Sequence, residues 1–149
     1  MVFAHRFQHG KPLEDRLRLE IASLAARYPK GFAVRLHILG DFYSIEYVSF
    51  WLGMLAQYDN LHIYGYTAHY QGKIADAIRY VRINYDERFM VRFSRSLKRT
   101  NAVDIFAVKA EHAKELGAIV CPEQTGKAKS CLECGLCWAV NISIGFIEH

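Results

Sequence analysis

Four cysteines, Cys121, Cys131, Cys134 and Cys137, fall inside "CPEQTGKAKSCLECGLCW" as C-x9-C-x2-C-x2-C. Thiols at such intervals pair as disulfides, ligate zinc, or hold an iron–sulfur cluster. The opening residues, "MVFAHRFQHGKP", lack the long apolar segment of a secretory signal, so a cytoplasmic and reducing setting is expected and disulfides are the weakest reading. Structural zinc sites are commonly built from two separate C-x2-C pairs, although "CLECG" has the form of a zinc knuckle, with Gly135 easing the turn behind Cys134. Here three ligands crowd into the seven residues from Cys131 to Cys137, and the fourth is a lone Cys-Pro upstream. A [4Fe–4S] cubane has irons at separate corners and suits that asymmetry better. Lys127 and Lys129 on the connecting loop would offset its negative charge, and Thr125, Gly126 and Ser130 can offer N–H groups to sulfur. The expected cofactor is therefore a [4Fe–4S] cluster, with Zn2+ as the alternative. If all four thiols ligate, no iron keeps an open position. The C-x3-C-x2-C loop of the radical S-adenosylmethionine enzymes is also absent.

Such ligands need a scaffold, and the pattern around them alternates helix and strand. "PLEDRLRLEIASLAARY" spaces Leu13, Leu17, Ile21, Leu24 and Tyr28 as one helix face behind Pro12. "GFAVRLHILGDF" reads as the first strand, bounded by Gly31 and Gly40. "SIEYVSFWLGMLAQY" is a helix capped by Ser44, with Glu46 at its positive end. "LHIYGYT" is a strand, "KIADAIRYVRINY" a helix, and "FMVRFS" and "VDIFAV" two further strands. "KAEHAKELG" is a short helix stopped at Gly117, and "AIVC" and "ISIGFI" complete about six strands. Strands separated by helices pair in parallel with right-handed crossovers. The expected class is a single α/β domain over residues 1–149. An eight-fold barrel needs roughly 200 residues or more, so the choices are a partial, TIM-like barrel, which is favoured, or an open and mostly parallel sheet. The cysteine loop at 121–138 follows the fifth strand.

In such sheets function gathers at the carboxyl ends of the strands. Those ends hold Asp41, then Thr67 and His69, then Ser94 and Arg95, then Cys121, and finally Glu148 and His149. Along the strands Arg35, His37 and Asp41 share one alternation phase, as do His62, Tyr64 and Tyr66, and Arg92 and Ser94. If those faces converge they enclose a polar, aromatic-lined pocket. In an enzyme, His37 and Asp41 would be the acid–base candidates, His69 and Tyr66 would touch substrate, and the cluster would be an electron relay or a scaffold. No motif names a reaction.

The formal charge is +4 and the hydrophobic fraction 52%, which describes ordinary globular material with a mild basic excess. That balance permits nucleic-acid contact, for which Arg92, Arg95, Lys98, Arg99, Lys127 and Lys129 are the phosphate-binding candidates. No apolar run approaches the roughly 20 residues of a membrane span. The sequence specifies no oligomeric state, and a homo-oligomer is compatible with it.

Two segments together, "VRLHILGDFYSIEYVSFW" and "CPEQTGKAKSCLECGLCW", resemble the gene 88 product-like family of phage- and plasmid-borne proteins. Members carry H-x2-GDF-x-S on an early strand–turn–helix, a "YT" strand after it, and a terminal cysteine motif ending in CW. The resemblance implies a mobile-element origin and a metal site at Cys121, Cys131, Cys134 and Cys137. It implies no reaction.

Overall fold

A computed structural model describes residues 9–94 and 98–147 of the chain. Helix α1 (Lys11–Arg27) carries Pro12 in its first turn and leads into β1 (Phe32–Arg35). Helix α2 (Ile45–Gln57) starts where Ser44 Oγ accepts the Tyr47 N–H at 3.1 Å, the cap anticipated from sequence. It buries Tyr47, Val48, Phe50, Trp51, Met54 and Leu55. Strand β2 (Leu61–Thr67), helix α3 (Gly72–Asn84) and strand β3 (Phe89–Phe93) follow close to the expected limits. The later elements are shorter than their patterns suggested: β4 (Ala107–Lys109), β5 (Ile119–Val120) and β6 (Ile144–Phe146). Strand β4 starts late because Asp104 turns inward, its carboxylate accepting from the backbone of Thr100 and Asn101 and from Arg79. The expected helix over "KAEHAKELG" is two 3-10 turns, Ala110–His112 and Lys114–Leu116, ended at Gly117 in the left-handed region (φ 60).

All the strand pairs are parallel. One sheet runs β1-β2-β3 and a second β4-β6-β5, and a parallel bridge between Phe93 and Phe106 links them. The class is α/β with parallel sheets and, among the described residues, no closed barrel. Placement of β6 between β4 and β5 departs from sequential order. Gly145 permits it: a Cβ there would lie 2.9 Å from Ala113 Cβ, so β6 runs close beneath the 3-10 turns.

The two faces of the first sheet meet different material. Leu61, Ile63, Phe89, Val91 and Phe93 are buried in one core with α2 and α3. The alternate face carries Arg35, Tyr64, Tyr66 and Arg92, brought level by the register Arg35 with Tyr64 and Tyr66 with Arg92. That face is roofed by the cysteine segment, with Trp138 packing against Tyr64 at 5.3 Å between ring centroids.

Candidate metal centre

Strand β5 delivers Cys121 to the end of the second sheet, where it is buried and its N–H bonds to Gly145 O at 2.8 Å. The chain then turns tightly, with the Thr125 hydroxyl and N–H both on the Cys121 carbonyl. The other three cysteines ride on two one-turn helices, α4 (Cys131–Cys134) and α5 (Leu136–Ala139), hinged at Gly135 (φ 66). Ser130 Oγ accepts from Glu133 N, while Glu133 Oε2 accepts from Lys129 N, so an S-x-x-E capping pattern fixes α4. A non-glycine residue at 135 would be strained there, which is the reason for CGLC in place of any C-x-x-C.

Cys121, Cys131 and Cys137 line one cavity of about 330 Å³, together with Arg35, Tyr64, Tyr66, Trp138 and Phe146. Cys134 is half-buried and does not line that cavity. The thiols are free. Partial burial pushes the thiol of Cys131 up, and Glu123, Cys137, Cys121 and Cys134 add to that in turn. Tyr66 Oη lies 3.4 Å from Cys137 Sγ. Burial raises the Tyr66 phenol most, its bond to Cys137 adds to the rise, and Arg92 and Arg35 oppose it.

Zn–S bonds of about 2.3 Å place four sulfurs within roughly 4 Å of one another. Among the described residues, no three His, Cys, Asp or Glu side chains are gathered as a metal-ion site. Three of the thiols instead share the walls of one hollow of about 330 Å³.

Arg92 corrects an expectation. Its side chain is fully buried and cannot reach a phosphate. Its guanidinium donates to the carbonyls of Cys137 (2.8 Å), Ile142 (2.9 Å), Val140 (3.0 Å) and, more weakly, Met90 (3.3 Å). It is the clamp that docks the cysteine segment on β3. Arg82, also fully buried, donates to Phe89 O, Val103 O and Asn141 Oδ1 and holds the same segment one step further on. Burial lowers the pKa of both arginines; that of Arg82 falls to about 10.

The His37–Asp41 group lies elsewhere. Strand β1 stops at Arg35, and His37 takes the left-handed region (φ 55), which breaks the expected alternation. His37 sits edge-on to Phe42 at 4.6 Å, with neither ring nitrogen partnered among the described residues, and lines a separate cavity of about 300 Å³ with Asp41, Tyr43 and Tyr47. Burial lowers its pKa, and Asp41 partly opposes this. Asp41 Oδ1 accepts from Thr67 Oγ1 (2.7 Å) and Phe42 N (2.8 Å), and Oδ2 accepts from Ala68 N (2.7 Å). Both oxygens therefore tie the β1–α2 loop to the end of β2. His69 serves the same tie, its Nε2 donating to Phe42 O at 2.8 Å. So Tyr66 joins the cysteines while His69 joins Asp41, and the two do not share a pocket. Lys98, Arg99, Lys127 and Lys129 are exposed. Arg95, Glu148 and His149 lie outside the described residues.

Sequence reasoning did not single out Trp138 or Phe146 as walls of the cavity. The position of Trp138 directly after Cys137 was the available signal; for Phe146 there was none before β6 was placed.

The family model described as "Gene product 88" matches residues 3–140. No curated protein and no solved structure matches the chain.

Proposed function

The chain belongs to the gene product 88 family, and from that premise and the geometry above we propose that it is an iron–sulfur protein whose [4Fe–4S] cluster is held by Cys121, Cys131, Cys134 and Cys137. The observation that carries the reading is the single cavity of about 330 Å³ walled by Cys121, Cys131 and Cys137, residues up to sixteen positions apart in sequence. A cluster with four thiolate ligands would lock the C-terminal segment onto the alternate face of the first sheet. Buried Arg92, with no carboxylate beside it among the described residues, supplies positive charge next to Cys137. The bridge from β3 towards β4 supports reading the strands as an incomplete, TIM-like barrel whose hollow the cysteine segment fills. Among the described residues no helix is long and apolar enough to cross a membrane. The exposed Lys98, Arg99, Lys127 and Lys129 would be its contacts to nucleic-acid phosphates.

The test is anaerobic purification followed by iron, acid-labile sulfide and zinc assays. Brown protein with about four irons and matching sulfide supports the cluster. Colourless protein with one zinc replaces it with the zinc knuckle, and protein that folds without metal overturns both. Nucleic-acid binding is checked by titration at 50 and 200 mM salt. Four phosphate contacts, at a slope of about −0.9 each, predict a loss of roughly 100-fold over that interval. Absent or salt-insensitive binding removes this partner. An acid–base enzyme centred on His37 and Asp41 is less well supported, because the Asp41 oxygens are already engaged by three donors.

A further inference from the structure

One rung of the β2–β3 ladder acts twice on one cysteine. Tyr66 and Arg92 are register partners on adjacent parallel strands, so their side chains leave the sheet on the same face. Tyr66 reaches the sulfur of Cys137 with its hydroxyl at 3.4 Å, and Arg92 holds the carbonyl of the same residue at 2.8 Å. The Tyr66 ring is itself fixed, meeting Phe146 edge-on at 5.5 Å with the Arg35 guanidinium 5.9 Å over its face. A metal-bound thiolate has no proton to give, whereas a phenol keeps its proton at neutral pH. The bond between them therefore runs from O–H to sulfur.

We infer that Tyr66 is a positioning residue that donates its hydroxyl to the Cys137 thiolate and holds the reduction potential of the bound cluster above the value four bare thiolates would give. The inference rests on the cluster reading above. A donor aimed at a ligand sulfur withdraws electron density and favours the more negative, reduced cluster; hydrogen bonds to sulfur and exclusion of solvent are the protein's main levers on that potential. The half-buried cavity strengthens the effect, because a hydrogen bond weighs more where water is scarce. Arg92 adds a fixed positive charge in the same direction. Ring burial alone would not require a hydroxyl at position 66, since phenylalanine fills the same space.

The experiment is a mediator-based redox titration of the full, cluster-loaded chain, followed by its visible spectrum and electron paramagnetic resonance. Tyr66→Phe is expected to retain iron and sulfide at the wild-type ratio and to show a lower midpoint potential. Site-specific 3-fluorotyrosine at position 66, a stronger donor of the same shape, is expected to shift the midpoint the other way and keeps the test decisive if Tyr66→Phe does not load. Loaded protein with an unmoved midpoint in either replacement overturns the assignment of Tyr66 alone. A wild-type chain that takes up no iron overturns the cluster reading, and this inference falls with it.

Discussion

Replacing Arg92 by methionine tests whether the cysteine segment is held by one buried side chain. The guanidinium makes three bonds of 2.8 to 3.0 Å, to Cys137, Ile142 and Val140, and a longer one to Met90. Methionine refills most of the volume but leaves the three well-bonded carbonyls without that donor. Val140 O keeps the Ile142 N–H at 3.0 Å, so two acceptors are orphaned, at about 1–3 kcal/mol each or roughly 2–6 kcal/mol together. Removing the cation's own desolvation penalty returns part of this. The net expectation is a loss of about 2 kcal/mol, a large share of the roughly 5–15 kcal/mol that holds a domain together. In urea, with a slope of about 2 kcal/mol per molar, the midpoint should fall by roughly 1 M. Hydrogen exchange should show the loss of protection first in residues 137–142. Arg92→Lys keeps the charge but cannot span the same carbonyls, and should fall between the two. A methionine variant within about 0.5 kcal/mol of wild type, with unchanged exchange in that segment, would refute the clamp.

Three further outcomes follow from the same geometry. Asp41→Asn points an amide N–H at a donor, either Ala68 N or the Thr67 and Phe42 pair, so it should cost about 2 kcal/mol in chemical denaturation; an unchanged stability would return Asp41 to the list of available acids and bases. His37 has a pKa below its ordinary 6.5 in the folded chain. Between the two values the unfolded chain binds more protons, so its contribution is fully present above pH 6.5 and is lost as pH falls through 6.5 towards and past the folded value. His37→Asn, which tolerates positive φ, should flatten that acid-side decline without abolishing it, because His62 is shifted in the same direction; an identical pH profile would show that His37 is not the source. Stripping metal with a chelator should expose residues 122–143 to limited proteolysis while β1 to β3 stay protected, and Cys121→Ser should reproduce this; equal protection with and without metal would mean that no metal holds the segment.

The elements that read well from sequence were those whose burial pattern is local. Helix α2, with its Ser44 cap and one apolar face, and strand β2, with strict alternation, came out at the expected limits because period 3.6 and period 2 are properties of a single segment. The placing of Cys121 at the end of β5 was legible for the same reason, and so was the special turn at Gly135. The short strand β4 was over-extended, since Asp104 leaves its strand to meet Arg79, a partner 25 residues away that no local window reveals.

By itself, then, the amino-acid order determined an α/β chain of parallel strands, and a tight trio of cysteines with a fourth at a strand end. Only the tertiary structure decided which surface covers which. Arg92 alternates with apolar neighbours and so reads as a solvent-facing cation; it is buried because residues 137–142 fold back and present carbonyls to it. His37 and Tyr66 look equivalent at neighbouring strand ends, yet a positive φ at His37 turns one to an aromatic pocket behind the sheet and leaves the other against sulfur. Periodicity tells a side chain which face it shares with its neighbours, and it carries no information about what arrives from fifty residues away to cover that face.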